Sequence, residues 1–231
     1  MRMLNWLPED VSTYGKEVDS LFYLIYYITG IVFLLVTVAM IVFLIKYRYQ
    51  EGRRAIYTHG STTLEIIWTA IPAIILILLA FKSQAAWSHI KMNIPPGDVQ
   101  IRVLAKQFNW DITYPGPDGK FGTEDDLPRP GDPAILDEIH VPVNKVVRVE
   151  LVGKDVIHSF FLPHLRLKQD VLPGRTILAW FQATKPGRYP LPCAELCGIG
   201  HSGMLGSLIV HTPEEYAAWV KEKWPTTEKA Q

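Results

Sequence analysis

Two apolar runs occupy most of the chain before residue 90. Residues 21–45 contain no charged side chain, and as a helix they would extend about 37 Å, enough to cross a bilayer. Residues 66–81 form a second run, which its flanks lengthen as far as Trp87. Buried core helices or a signal peptide would give similar patterns, but the first run is too long for a signal sequence. The pattern therefore predicts a membrane α-helical hairpin of two spans over residues 21–90, after an outer segment, residues 1–20.

The charges around these runs indicate an orientation. The connecting loop carries Lys46, Arg48, Arg53 and Arg54, whereas the first twenty residues hold more acidic than basic side chains. Short loops rich in Lys and Arg stay on the cytoplasmic side of a membrane. Both ends of the chain are therefore expected on the outer, periplasm-like side.

After Gly97 the apolar positions recur with a period of two. Short alternating segments separated by Pro and Gly are typical of strands that bury one face, and they favour an all-β sandwich or barrel. The strand candidates are residues 99–106, 110–114, 147–152, 176–183 and 205–211. A capping box beginning at Thr212 predicts a closing helix. We expect this domain to cover residues 91–225 and a polar tail to cover residues 226–231.

A polar insertion, residues 115–133, interrupts the strand pattern. It is too rich in Gly and Pro for a core strand, and its segment from Asp118 to Asp126 loosely resembles calcium-binding loops. The spacing does not match the EF-hand pattern. A solvated acidic loop, including Glu124, Asp125 and Asp126, is the preferred interpretation.

Charge and cysteine content narrow the possible functions. The 23 Lys and Arg balance the 23 Asp and Glu, so no basic surface for nucleic acid is expected. The chain has two cysteines, Cys193 and Cys197. A disulfide, two buried thiols and metal ligation remain open for this pair, although one isolated pair is a poor framework for disulfide stabilisation.

The strongest chemical signal is the segment from Cys193 to Met204. It contains two thiols, the imidazole of His201 and a thioether, and soft sulfur combined with imidazole is a donor set that suits copper. His158, just after a strand candidate, is the best second histidine. A zinc site would not use Met204, and a mononuclear blue copper site would leave one cysteine unused. Two coppers bridged by both thiolates would use all five side chains.

The segment from Cys193 to Met204 resembles the dinuclear copper motif of cytochrome c oxidase subunit II, a family within the respiratory haem–copper oxidases. Other matches extend the resemblance over nearly the whole chain. They are His59-Gly60, Glu65-Ile66-Ile67-Trp68-Thr69 with Pro72, Asp155-Val156-Ile157-His158-Ser159, and Leu167-Lys168-Gln169-Asp170 with Pro173-Gly174. The copper motif is shared with nitrous-oxide reductases, but those lack the hairpin. The resemblance implies a cupredoxin-like domain carried by the two spans.

The resemblance also implies a role for each matching residue. The implied copper ligands are the side chains of His158, Cys193, Cys197, His201 and Met204 and the backbone carbonyl of Glu195. The Glu195 carboxylate is implied to bind a magnesium ion shared with subunit I. Glu65 is implied to lie at the mouth of a proton pathway; a carboxylate stabilised by the dipole of the second helix is the alternative.

Partners follow from the same resemblance. They are the haem-bearing subunit I with other oxidase subunits, a cytochrome c or c-type haem domain as electron donor, and the lipid bilayer. Quinol-oxidising relatives lack the copper ligands that this chain retains. No Cys-x-x-Cys-His segment is present, so no haem is expected in this chain. The insertion favours a bacterial inner membrane over the mitochondrial one.

One segment departs from the family pattern. The family has Gln-Trp-aromatic-Trp where this chain has Gln107-Phe108-Asn109-Trp110, so Phe108 replaces the surface Trp at which electrons arrive. In a strand Trp110 would point to the same face as Phe108. Both are therefore predicted to line the route of the electron, with Phe108 outermost; two core aromatics are the alternative.

A copper-delivery protein is the alternative function. Such a carrier needs an exposed, exchangeable site with few ligands. Six ligating positions favour a fixed redox centre instead. The resemblance implies that this centre accepts electrons from the cytochrome c-type donor and passes them to the haem-bearing subunit I for oxygen reduction and proton pumping.

Overall fold

The computed structural model describes residues 6–129 and 132–224. The predicted tail, residues 226–231, lies outside the described residues, as do the first five residues and two positions of the insertion. The chain divides into two compact units. One consists of residues 17–92, and the other combines the N-terminal residues up to Lys16 with the chain from Asn93 onward.

The first unit consists of two long apolar helices, as predicted. Helix α1 is Gly15–Lys46 and helix α2 is Thr62–Trp87, which continues into a π-helical turn at Ser88–Met92. Ser61 caps α2, since its side chain accepts a hydrogen bond from the backbone N–H of Leu64. Both helices have the length and composition to cross a membrane, and their apolar side chains are largely exposed in the isolated chain. Such surfaces require lipid or protein neighbours.

The second unit is a β domain of three sheets. Its strands are β1 (Val99–Lys106), β2 (Asn109–Thr113), β3 (Ile135–Leu136), β4 (Glu138–Pro142), β5 (Val146–Gly153), β6 (His158–Leu162), β7 (Leu167–Val171), β8 (Thr176–Gln182), β9 (Gly187–Pro192) and β10 (Leu205–His211). The first sheet has the order β3-β2-β1-β5-β8, the second β4-β10-β9, and β6 pairs with β7. The predicted all-β, cupredoxin-like domain is confirmed.

Alternation builds the core of this domain. In β1 and β5 every second side chain is buried, and the two strands pair in parallel with Ile101 opposite Val149. Residues two apart in a strand share a face. The buried side chains of the two paired strands therefore lie on one face of the sheet, where they form part of the core. β4 and β10 also pair in parallel. Neither parallel pairing follows from the local pattern of the sequence.

Helix α3 (Pro213–Lys223) closes the domain. Thr212 and Glu215 form the predicted capping box, in which each side chain bonds the other residue's backbone N–H. Trp219 is buried on the inner face of α3 and stacks on His140, with ring centroids 5.0 Å apart. The closing helix is therefore held by its cap and by Trp219, and Tyr216, Val220 and Trp224 also pack against the core.

The insertion differs from the solvated acidic loop that the sequence predicts. Asp126 is buried, and its carboxylate accepts hydrogen bonds from the backbone N–H of Gly122 and the hydroxyl of Thr123. Glu124 remains exposed. The prediction was wrong for Asp126 because a buried carboxylate can be satisfied by the loop's own backbone, which residue composition does not reveal.

Candidate metal centre

Two segments that are distant in sequence form the candidate site. His158 opens β6, and the other sequence-predicted ligands lie in the loop between β9 and β10, called here the copper loop (residues 193–204). A bridge between Phe160 and Cys193 joins the two segments, and the N–H of Ala194 donates to the carbonyl of Ser159. The backbone pairing of β6 with the start of the loop therefore brings His158 beside Cys193.

The sulfur and nitrogen atoms of the site converge with similar spacing. The Sγ atoms of Cys193 and Cys197 are 3.9 Å apart. Cys193 Sγ lies 3.9 Å from His158 Nδ1, and Cys197 Sγ lies 3.6 Å from His201 Nδ1. The Sδ of Met204 is 3.9 Å from Cys197 Sγ. The structure thus brings together the five side chains that the sequence singled out.

This spacing fits metal ligation rather than a disulfide. The two cysteines are free thiols, and their separation exceeds the roughly 2.05 Å of an S–S bond. Two donors that bind one ion at about 2.0–2.3 Å lie well over 3 Å from each other, with the ion between them. The observed separations match that requirement, and the mixture of thiolate, imidazole and thioether matches a copper ion.

Burial keeps the donors away from solvent. His158, Cys193, Cys197 and Met204 are buried, whereas His201 is partly exposed. Burial, together with the neighbouring Cys193, raises the pKa of the Cys197 thiol to about 11. The thiol is therefore protonated at neutral pH without a cation, and a metal ion that binds there must displace the proton.

Asp155 orients His158. Nε2 of the ring donates to Asp155 Oδ1 over 2.8 Å, so Nδ1 is left facing Cys193 with its lone pair. Burial acts to raise the pKa of Asp155, but hydrogen bonds from His158 and from the backbone N–H groups of Gln107 and Val156 outweigh it and hold the pKa at about 2. Sequence reasoning did not assign Asp155 a role. Its position three residues before His158 was the feature that could have indicated one, because a ligating histidine usually donates its other ring N–H to a nearby carboxylate or carbonyl.

Glu195 has its backbone and side chain in different environments. Its carbonyl oxygen lies 3.3 Å from Cys193 Sγ, which places it at the candidate centre. Its side chain is exposed. The residue can therefore offer its carbonyl to one metal ion and its carboxylate to another partner outside the domain.

Phe108 and Trp110 differ in burial and in their place relative to β2. Phe108 lies in the turn before β2 and is partly exposed, whereas Trp110 lies within β2 and is fully buried. The Trp110 ring packs edge-on against His158, with centroids 6.2 Å apart. Strand alternation does not apply to Phe108, which precedes β2, so a shared face for the two rings stays a prediction; the partly exposed Phe108 and the buried Trp110 fit the expected order, with Phe108 outermost. Trp110 is a core aromatic beside a candidate ligand.

The ring of Phe108 lies against the copper loop. A Cβ built at Gly200 would come within 2.5 Å of the ring, and one at Gly198 within 3.0 Å. Two glycines therefore allow the ring to reach the loop backbone between Cys197 and His201.

Glu65 belongs to the other unit. It lies in the first turn of α2, three residues after Thr62, and is exposed in the isolated chain. This position suits a carboxylate at a helix N-terminus, and a partner subunit could also reach it.

The fold and the site define a membrane-anchored, cupredoxin-like domain with a soft-donor metal site. Residues 3–85 match the family model for the transmembrane domain of cytochrome c oxidase subunit II, and residues 99–211 match that for its periplasmic domain. The cytochrome c oxidase subunit 2 of Thermostichus vulcanus is 32% identical over 94% of this chain and 78% of its own length. The probable cytochrome c oxidase subunit 2 of Rickettsia bellii is 35% identical over 87% of this chain and 77% of its own.

Among solved structures, the periplasmic domain of subunit II of cytochrome oxidase from Bradyrhizobium japonicum is 39% identical. The alignment with it covers 56% of this chain and 96% of that structure, with a TM-score of 0.47. From the family and sequence matches, the chain belongs to the cytochrome c oxidase subunit II family. It is thus a membrane-anchored subunit of a haem–copper oxidase. Membership of the subunit II family implies that the chain binds copper.

Proposed function

We propose that this chain carries electrons from a cytochrome c-type donor to the haem-bearing subunit I, using a dinuclear copper centre in the copper loop. One observation supports this function above the others. Five soft or imidazole donors converge with spacings of 3.6–3.9 Å, and these are more donors than one tetrahedral ion uses.

The proposed ligands divide between two ions. Cys193 and Cys197 would bridge both, and His158 and His201 would each bind one. Met204 and the carbonyl of Glu195 would complete the set as weak outer ligands. When bound, a copper pair of this kind supplies reversible one-electron redox chemistry.

The protein's contribution is to fix these donors before the metal arrives. Asp155 holds the His158 ring by a bond of 2.8 Å, and Trp110 packs against that ring. Burial of both thiols excludes water. Rigid ligands change position little when the charge of the site changes, so the barrier to electron transfer is low.

Phe108 is the proposed point of contact for the electron donor. It is the aromatic side chain at the family's Trp position, it is partly exposed, and its ring touches the copper loop at Gly198 and Gly200. A short, packed path of this kind favours tunnelling, whose rate falls steeply with distance. Trp110 would act behind it, as packing for His158 rather than as a surface contact.

Two carboxylates have proposed roles outside the copper centre. The exposed side chain of Glu195 would bind a magnesium ion shared with subunit I, a hard oxygen ligand for a hard cation. Glu65 would accept protons at the cytoplasmic end of α2, since ionisable groups in membrane segments are usually functional.

The proposed location follows from loop charge. The basic loop between α1 and α2 would face the cytoplasm of a bacterium, and the β domain, over residues 91–225, would face the periplasm with both chain ends. The remaining oxidase subunits, a cytochrome c or c-type haem domain, and the lipid bilayer would be its partners.

Copper delivery is the second candidate function. The observation that favours it is the partial exposure of His201 at the edge of the loop. Copper exchange separates the two functions. A carrier would give up its copper to a soluble acceptor within minutes and show mononuclear spectra, whereas the proposed subunit would retain two coppers with a mixed-valence EPR signal.

A further inference from the structure

Gln107 contacts both halves of the candidate copper centre. Its side-chain Nε2 donates to the backbone carbonyl of Cys197 over 2.6 Å. Its backbone N–H donates to Asp155 Oδ2 over 2.7 Å, and the other oxygen of Asp155 accepts from His158 Nε2. One residue outside the ligand set therefore reaches Cys197 directly and His158 through one carboxylate.

Apart from the Phe108 ring at Gly198 and Gly200, the middle of the copper loop has little other support. Among the described residues, the backbone of positions 195–200 has one hydrogen bond from outside the loop, which is the bond from Gln107. The side chains of Leu196 and Ile199 are exposed, at 77% and 101%, so they contribute no packing that would hold this stretch. A stretch with so few contacts is expected to open locally unless it is anchored.

The loop is shaped to admit the Gln107 amide. Gly198 has a φ of +137°, and a Cβ built on it would come within 2.7 Å of Gln107 Nε2. Glycine is the residue that adopts this backbone conformation without strain and leaves the space open. The geometry of the loop and the position of the amide are therefore matched.

We propose that Gln107 is a positioning residue of the copper centre. It clamps the carbonyl of Cys197 and, through Asp155, the ring of His158, so that the two ligand-bearing segments keep their spacing with and without metal. This inference rests on the proposed function, since it requires a dinuclear centre, and it concerns how firmly that centre is held.

The test compares two glutamines of the same domain. Gln182 also donates its side-chain amide to a backbone carbonyl, that of Asn144, over 3.0 Å. Gln182 and Asn144 both lie outside the candidate centre. Gln107→Leu and Gln182→Leu each remove one such bond. In the full-length chain, purified in detergent and loaded with copper, Gln107→Leu should release copper to a chelator about tenfold faster, the lower range for loss of an outer partner of a metal ligand. Gln182→Leu should match the wild type.

Two further measurements separate positioning from a general loss of stability. Gln107→Glu keeps the size of the side chain but removes the N–H donor, so it should release copper at least as fast as Gln107→Leu. In the copper-free proteins, amide hydrogen exchange should increase at residues 195–200 in both Gln107 variants and remain at the wild-type rate in β1 and β5. A Gln107→Leu EPR spectrum with altered copper hyperfine splitting would support the same role.

The outcomes distinguish this inference from the function on which it rests. A wild-type chain with a mixed-valence signal, together with Gln107 variants that release copper and exchange amides like Gln182→Leu, would overturn the positioning role alone. A wild-type chain without that signal would overturn the proposed function and the positioning role with it.

Discussion

Strand β10 has a histidine cluster at each end, and the two clusters differ in the spacing of their donor atoms. Before its first residue lies the copper loop, where sulfur and nitrogen donors are 3.6–3.9 Å apart. At its last residue, His211 Nε2 lies 2.9 Å from Nδ1 of His140 on β4. In one cluster the histidine nitrogens face sulfur atoms at a distance that leaves space for an ion, and in the other two histidines bond directly to each other.

The far cluster has no room for an ion. The two imidazole rings are nearly coplanar, at 14°, with centroids 5.1 Å apart, so their facing nitrogens share one proton in an N–H···N hydrogen bond. A metal ion needs about 2.0 Å to each nitrogen. Burial, with the neighbouring His211, lowers the pKa of His140, and burial also lowers the pKa of His211. Both rings are therefore neutral at pH 7; His140 stacks on Trp219 of α3, and His211 packs against Tyr216 of the same helix.

The comparison teaches that residue type alone does not identify a metal site. Two histidines near carboxylates occur at the far end, yet they bond to each other. At the copper loop the donors are held apart by Asp155 and by the backbone, which preserves space for an ion.

The largest effect is expected from Cys193→Ser. Loss of a bridging thiolate should abolish the mixed-valence EPR signal and the reduction of the centre by its donor, while the copper-free domain keeps its fold because Cys193 is one small buried side chain. The check is EPR with copper analysis of the purified full-length protein. His211→Gln serves as the control and should retain all copper; copper loss in that variant would contradict the distinction between the two clusters.

A smaller effect is expected from Glu65→Gln. Glu65 lies in α2, outside both the copper centre and the His140–His211 cluster. Removing this carboxylate should slow steady-state turnover of the assembled oxidase several-fold, because proton delivery is impaired, while reduction of copper by the donor keeps its wild-type rate. Steady-state and stopped-flow measurements on one preparation make the check. Unaltered turnover would favour a carboxylate that only stabilises the start of α2.

A smaller change again is expected from Phe108→Ala. The ring fills the space between solvent and the loop backbone at Gly198 and Gly200, so its removal should slow donor-to-copper electron transfer several-fold without altering the copper spectrum. Stopped-flow reduction by the donor measures this. Trp110→Ala should instead alter the spectrum, since Trp110 packs on His158. Equal rates in wild type and Phe108→Ala would move the electron path to another part of the loop.

The smallest effect is expected at the far cluster and concerns acid stability. Because burial lowers the pKa of His140 and His211 below their unfolded values, the unfolded chain binds more protons as the pH falls below about 6.5. The free energy of unfolding should therefore be fully retained above that pH and decrease below it. Replacing both residues by Gln should flatten the decrease in a pH series of thermal unfolding. His164 is a partly buried residue outside this cluster whose pKa is also lowered by burial, so His164→Gln should flatten the decrease less.

Local features of the sequence were predicted well. The bounds of β10, the capping box at Thr212 and the apolar helices follow from signals within a few neighbouring residues. The five candidate ligand side chains, four in the copper loop and His158 on β6, were chosen from residue chemistry and family resemblance. The structure brings them together, and metal binding by them stays a prediction.

Features that depend on distant contacts could not be predicted. The parallel pairing of β1 with β5 joins segments almost fifty residues apart, and the bond from Gln107 to Cys197 joins residues 90 apart. The turn at Phe108 and the burial of Asp126 likewise depend on neighbours that alternation and composition do not specify.

The central claim is that the copper loop holds two coppers that share one electron. Copper and zinc analysis combined with EPR of the wild-type full-length chain tests it most directly. The account predicts two coppers per chain and a hyperfine pattern of one unpaired electron shared equally by both. One zinc ion per chain, or a disulfide between Cys193 and Cys197 in the assembled oxidase, would contradict it.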